Sequence, residues 1–444
     1  MKKNLALLLV LTLALAACRN GEAGTGGQSA STGSTPASSN TADGSASSDS
    51  NGEENPAPNP VDIGGDLLVW FDHMDLGGEI IAAFNAHYPN VNISLEEVGS
   101  GSVNDKLPLD GPAGIGGDVM VFNHNAIADF INDGLLEPFP ADMQARLEVL
   151  LLENAASMAK NRGALYGVPY SLENYGLLYN KDLVDTPPKT FEELIEFAHS
   201  YNDPANNKFA IRFTPNDFYH TFYIFDAFGF KPFGPNGDDW KNPGFDGPEV
   251  AAGLAFLKSL RPLFDINVAD ADFESVYGAF ARGEVPFIVA HSWVSNNAKE
   301  NGVNVGASKL PTIGGVQPNC FMGSMVMGVS SYAKNFEAAF AFAEFMSSKE
   351  VATLVYNKNG VGPALKDISG IEGLEDDEVL MGLAEQAVYT VDMPTVPEFN
   401  LIWSIVMEMM AYVWDDLLPI EEAQQSFMES YELLLNIGGQ SMFD

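Results

Sequence analysis

Glu173 is the first residue whose setting calls for a chemical explanation. It stands in Tyr170-Ser171-Leu172-Glu173-Asn174-Tyr175, just ahead of the apolar run Gly176-Leu177-Leu178-Tyr179. A carboxylate is costly to bury without partners, so this one is either solvated or faces groups that hydrogen-bond to it. Two further sets of polar groups follow apolar runs: Asp72-His73 after residues 67–71, and Asn123-His124-Asn125 after residues 118–122. Carboxylates, amides and aromatics of this kind suit hydrogen-bonded recognition of a solute. Signals for bond-making chemistry are weaker. The six histidines (73, 87, 124, 199, 220 and 291) show no HExxH spacing, and there is no cysteine cluster to hold zinc. No GxxxxGK[ST] loop is present for a nucleotide. Asp238, Asp239 and Asp246 share a Gly/Asn/Pro-rich loop but lack EF-hand spacing, and Asp376-Asp377 reads as a solvated acidic run. The expectation is no catalytic residue, no metal and no cofactor.

The polar groups must be positioned by the surrounding elements. Residues 67–71 (LLVWF) form a continuous apolar run, a buried strand. Ile80, Ile81 and Phe84 then fall on one side of a helix that stops near Pro89, and Val91, Ile93 and Leu95 alternate as a second strand. Strand, helix, strand at this spacing is a right-handed βαβ unit. Residues 118–122 give another buried strand and 126–136 a helix. In open α/β sheets ligands bind beyond the carboxyl ends of the strands, where Asp72, Asn123 and Asn125 stand. The chain leaves this unit through residues 166–179. Pro187-Pro188 bars regular structure, and Thr190-Phe191-Glu192-Glu193 reads as a capping box opening a helix over 191–201. Further helices are expected over 217–228, 248–260 and 273–281, with strands over 286–290 and 303–305. The Met-rich run 321–329 is consistent with a return to the first unit. Ser347-Ser348-Lys349-Glu350 reads as a second capping box ahead of 351–356, and 401–418 and 421–435 as closing helices.

With 444 residues, 46% of them hydrophobic, more than one core is expected. Lys and Arg number 22 against 60 Asp and Glu, a net charge of −38. That excess repels nucleic acid and other polyanions and permits a cationic ligand. Lys2 and Lys3 precede an apolar run over 5–17 that is short for a membrane-spanning helix and reads as a targeting segment. It ends in Leu15-Ala16-Ala17-Cys18, which resembles a bacterial lipobox, with Cys18 lipidated after cleavage. Residues 18–63, rich in Ser, Gly, Ala and Asn, lack the apolar surface to fold, and about 40 residues of flexible coil reach about 35 Å. Cys320, the other of two cysteines, then has no disulfide partner and is read as a buried small hydrophobe.

The stretch 168–194, with its YNKDL and PPKT, resembles the extracellular solute-binding proteins of bacterial ABC importers, in particular the maltose/maltodextrin-binding branch. The resemblance extends over most of the chain from Asp66. It includes Gly278-Ala279-Phe280-Ala281-Arg282-Gly283-Glu284, Trp293 after a strand, Leu310-Pro311-Thr312, and Met393-Pro394, Pro397 and Trp403. It implies an α/β periplasmic-binding-protein fold of type II: two lobes, three hinge crossings and a central ligand cleft. On that pattern residues 1–17 are the signal peptide and 18–63 the lipidated cysteine and tether. Residues 64–171 with 322–370 form the N-terminal lobe, and 172–321 with 371–444 the C-terminal lobe.

An oligosaccharide presents hydroxyls around its rim and C–H faces above and below, so its site needs aromatic platforms with carboxylates and amides. The resemblance places Glu173 as the sugar-contacting carboxylate of the first crossing, and Trp293 and Trp403 as stacking platforms. Phe218 or Tyr219, and Phe273, fall near two further aromatics of the family pattern. Trp70, Trp240 and Trp414 lack such a match and are read as packing. The first lobe departs from the pattern. Phe122 stands where the prototype has a tryptophan, and its charged pairs are replaced by Asp72-His73 and Asn125-Ala126. Asp72, Asn123 and Asn125 are the expected substitutes, a change that bears on maltose itself more than on sugars as a class. The implied function is a lipid-anchored, monomeric receptor outside the cell membrane that delivers a malto-oligosaccharide to an ABC permease. Alternatives are another neutral sugar, a cationic solute, or a secreted glycosidase. The last needs a second carboxylate beside Glu173 that the sequence does not make evident.

Overall fold

The computed structural model describes residues 62–441, apart from residues 273 and 395. The expected signal peptide, Cys18, most of the tether and Phe273 lie outside the described residues. Two sheets organise the rest. The first has five strands in the order Asn90–Glu97, Gly64–Phe71, Val119–Asn123, Met325–Val329, Gly167–Pro169. The first three run parallel, and Met325–Val329 runs antiparallel to both its neighbours. The second has four, Val305–Ser308, Tyr175–Asn180, Phe287–His291 and Ile211–Arg212. Each sheet carries its own hydrophobic core. One runs from Ile63 to Tyr170 and from Val326 to Leu374, the other from Tyr175 to Phe321 and from Val379 to Tyr431.

Sequence periodicity explains the helices that cover these sheets. In Met74–His87 the residues Leu76, Ile80 and Phe84, four apart, face the first core. Phe191–Tyr201 buries Phe191, Leu194 and Ala198 against the second. Thr190 accepts a hydrogen bond from the Glu193 amide at 3.1 Å, and the Glu193 carboxylate accepts one from the Lys189 amide at 2.7 Å. Caps of this kind contribute about 1 kcal/mol. Gly382 lets the helix Glu378–Ala387 lie flush on the strand Val305–Ser308, since a Cβ there would come within 2.2 Å of the Ala307 carbonyl oxygen.

Several expectations shift. The helix expected over 126–136 is shorter: a 3-10 turn at His124–Ala126 leads into Ile127–Asn132, and Gly134, at φ 68°, turns the chain into an extended stretch. Over 273–281 the chain forms a π turn, Glu274–Gly278, and a short helix, Ala279–Ala281. Ser348 rather than Ser347 caps the helix Lys349–Asn359, accepting from the Val351 amide at 3.2 Å. Asp377 is not a solvated acid. It caps Glu378–Ala387 through the Val379 and Leu380 amides and accepts from the Tyr356 hydroxyl at 3.1 Å. Trp70 and Trp414 are fully buried, whereas Trp240 lies partly on the surface. Cys320 is buried, and burial pushes its thiol up to about 12.

The chain passes between the two cores three times, between Tyr170 and Tyr175, between Phe321 and Val326, and between Leu374 and Val379. Ile371 and Leu374 pack in the first core, so the third passage falls later than residue 371. The first two passages run side by side. Glu173 and Gly323 form an antiparallel bridge, with N to O distances of 2.9 and 2.7 Å in the two directions. The paired backbone holds Glu173 at the boundary between the cores.

Candidate functional site

A cavity of about 370 Å³ opens at this boundary. From the first core come Asn123, His124 and Asn125, at the carboxyl end of the strand Val119–Asn123. From the crossings come Glu173 and Gly323-Ser324-Met325, and from the second core Tyr219, His291, Met393 and Trp403. Trp403 lies in the first turn of the helix Ile402–Trp414, whose Ile402, Ile405, Val406, Met409 and Met410 are buried, and its indole is left half-buried beside the cavity. Phe399 and Phe218 support it from behind at ring-centroid distances of 5.0 and 6.0 Å. Tyr219 is held by its neighbour Tyr175, whose hydroxyl donates to the Tyr219 carbonyl at 2.7 Å. A side chain at Gly323 would crowd the site, because a Cβ there would stand 3.0 Å from the Tyr219 hydroxyl.

The electrostatics are acidic. Among the described residues neither Lys nor Arg lines the cavity. Glu173 accepts from the Ser171 hydroxyl at 2.9 Å. Burial raises its carboxyl above the ordinary value, the Ser171 hydrogen bond opposes that rise, and Asp72 adds to it. Asp72 lies outside the immediate lining but within electrostatic reach. Its Oδ1 is buried and has no hydrogen-bond partner among the described residues, and burial raises its carboxyl too. Burial pushes His124 down to about 4 and His291 down to about 3, so both present neutral imidazoles near pH 7.

Of the residues singled out from sequence, the fold brings Glu173, Asn123, Asn125, Tyr219 and Trp403 to one cavity. Phe122 is not there. It is fully buried, edge-on to Phe130 at 5.0 Å, because strand alternation turns it into the core when Asn123 faces out. Phe218 is likewise a core residue, ringed by Phe222, Phe225 and Phe245, and it backs Trp403 rather than lining the cavity. Trp293 lines a separate groove of about 260 Å³ with Tyr277, parallel to that ring at 6.0 Å and to His291 at 6.4 Å. Asn125 spans the gap between the cores: its amide donates to the Asn400 side-chain oxygen at 3.1 Å, and the Asn400 amide donates to Asp129.

A model of the family described as bacterial extracellular solute-binding protein matches residues 78–353, more than half of the chain. The chain belongs to this family. Its relatives include a maltotriose-binding protein of Pyrococcus abyssi (strain GE5 / Orsay), 27% identical over 84% of this chain and 83% of that one. Another is a galactooligosaccharide-binding protein of Bacillus subtilis (strain 168), 26% identical over 77% of this chain and 82% of its own. The crystal structure of a cyclo/maltodextrin-binding protein complexed with maltotetraose superposes with a TM-score of 0.72. It is 26% identical and covers 83% of this chain and 97% of its own. The fold is thus the two-lobe α/β arrangement of this solute-binding family.

The lining residues His291, Gly323, Ser324, Met325 and Met393 were not expected from sequence, and within the run Asn123-His124-Asn125 the middle residue was not chosen as a contact. His291 had a usable signal, since it ends the strand Phe287–His291 and the carboxyl ends of strands face the ligand in such folds. Ser324 and Met325 had none, because their place depends on the pairing of two distant crossings.

Proposed function

We propose that this solute-binding protein captures an oligosaccharide of the malto-oligosaccharide class in the cavity between its lobes and passes it to an ABC permease. One observation carries the reading: a half-buried indole, Trp403, lines a cavity that also holds the Glu173 carboxylate, two amides and, among the described residues, no cation. A neutral glycan offers C–H faces to the first and hydroxyl donors to the others. The names of the relatives, malto- and galacto-oligosaccharide binders, support an oligosaccharide, and two of the three the malto class. A few such contacts reach micromolar affinity, about −8 kcal/mol. Closure of the lobes about the three crossings would follow from contacts the solute makes with both walls. One copy supplies both walls, which supports action as a monomer. Cys18, lipidated, would hold the receptor on the outer face of the cell membrane through two or more acyl chains. The solute is bound and released unaltered.

A cationic solute is a second reading, favoured by Glu173 and Asp72 with no Lys or Arg among the lining residues. Calorimetric titration against maltotriose, galacto-oligosaccharides and a polyamine separates the two. Saturable heat with a neutral glycan that the polyamine does not compete away is the expected result. Heat with the polyamine alone would overturn the sugar reading, and steady release of reducing ends would overturn binding without turnover.

A further inference from the structure

The cavity wall holds a polar group that neither the sugar reading nor any motif accounts for. His291 is 6% exposed, yet its ring lines the cavity. The imidazole lies near-parallel to Tyr219 on one side, 5.7 Å and 26°, and to Trp293 on the other, 6.4 Å and 17°. The tier continues beyond both neighbours. Tyr219 is near-parallel to Phe321 at 5.9 Å, and Trp293 to Tyr277 at 6.0 Å. The other four rings are those of Phe, Tyr and Trp, and a phenyl ring would fill the same slot. The position instead carries an imidazole whose Nδ1 is buried without a hydrogen-bond partner among the described residues. Its neighbour His220, 5.1 Å away and edge-on, bonds Asp217 at 2.7 Å through Nδ1, and its own Nε2 is buried without a hydrogen-bond partner among the described residues. A polar atom buried in this way is unfavourable unless some partner reaches it. His291 stays neutral far below pH 7, held there by burial and then by His220, while the Asn174 backbone and Asp217 oppose that fall. A neutral imidazole with a free lone pair accepts a hydrogen bond, and a glycan hydroxyl donates one.

We infer that His291 is a specificity-determining residue of the cavity, its ring nitrogen accepting a hydrogen bond from a hydroxyl of the bound solute. This rests on the proposed sugar reading. His291→Phe keeps a ring in the tier and removes both nitrogens, so it separates recognition from packing. The wild type and this variant are titrated with maltotriose by calorimetry, and the imidazole ¹⁵N resonances of the wild type are followed by NMR through the same titration. The variant should lose about tenfold in affinity, the scale of one hydrogen bond, and the His291 resonance should move on saturation. A variant that binds within about twofold of the wild type, or a His291 resonance that stays put at saturation, would overturn the inference. The wild-type resonance decides the matter even if His291→Phe fails to fold. A wild type that binds no neutral glycan would sink the sugar reading and this role together. A wild type that binds, with the variant unchanged, would sink only the role of His291.

Discussion

The two walls of the cavity are built from different chemistry. The second-lobe wall is aromatic and rigid: Tyr219, His291 and Trp403 sit on a core of packed rings in which Phe222 and Phe321 stack at 3.8 Å. The first-lobe wall offers short polar groups, Asn123, His124 and Asn125, and the adjoining Phe122 is turned inward. The contrast assigns labour. A preassembled ring platform loses little freedom on binding and can hold a solute face by itself. The polar wall offers directional hydrogen-bonding groups, and the Asn125–Asn400–Asp129 chain ties it to the opposite lobe.

If the platform dominates, Trp403→Ala should have the largest effect, about a thirtyfold loss of maltotriose affinity by calorimetry with the thermal midpoint little changed. Parity with the wild type would remove the platform from the account. Glu173→Gln keeps an acceptor for Ser171 and removes the charge. About a tenfold loss is expected, with folding intact by circular dichroism; a collapsed fold would make Glu173 a structural acid.

Acidification should sharpen the contrast further. Glu173 and Asp72 hold their protons above the ordinary range, 4.5 for a glutamate, so in the free protein the proton's stabilising effect is present at low pH and lost as pH rises through the raised values. A hydroxyl donor needs the carboxylate form. Affinity should therefore fall on acidification starting above pH 4.5, seen as proton release on binding at pH 5; a flat profile down to pH 4.5 would detach both acids from the solute.

Asn400→Ala should cost about threefold, read as faster dissociation in stopped-flow fluorescence, because it cuts the bridge between the lobes and leaves the platform alone. An unchanged rate would reduce the bridge to a surface contact. The smallest effect is expected for Trp293→Ala, under about threefold. Its ring lines a separate groove and stacks on His291 of the cavity wall. A tenfold loss would extend the platform into that groove.

Much of this arrangement was legible in the sequence where local physics decides it. The apolar run 67–71, the Thr190 cap and the alternation of 91–95 each gave an element in its place. The family pattern pointed to Glu173 and Trp403, which the fold places beside the cavity. Phe122 and Phe218 were misplaced because an aromatic at a matched position can face either way, and one residue of strand alternation or helix rotation decides it. The helices Phe336–Phe345 and Glu378–Ala387 were overlooked. The second is announced by an acid, Asp377, whose capping role depends on the helix that begins after it rather than on the acidic run before it.

The central claim is that a neutral glycan lies between these two walls, flat on one and hydrogen-bonded to the other. A crystal structure of the wild type grown with maltotriose tests it most directly. The account predicts a glucosyl ring stacked on Trp403, with hydroxyls within hydrogen-bond distance of Glu173. Sugar density away from both residues, or none at saturating maltotriose, would contradict it.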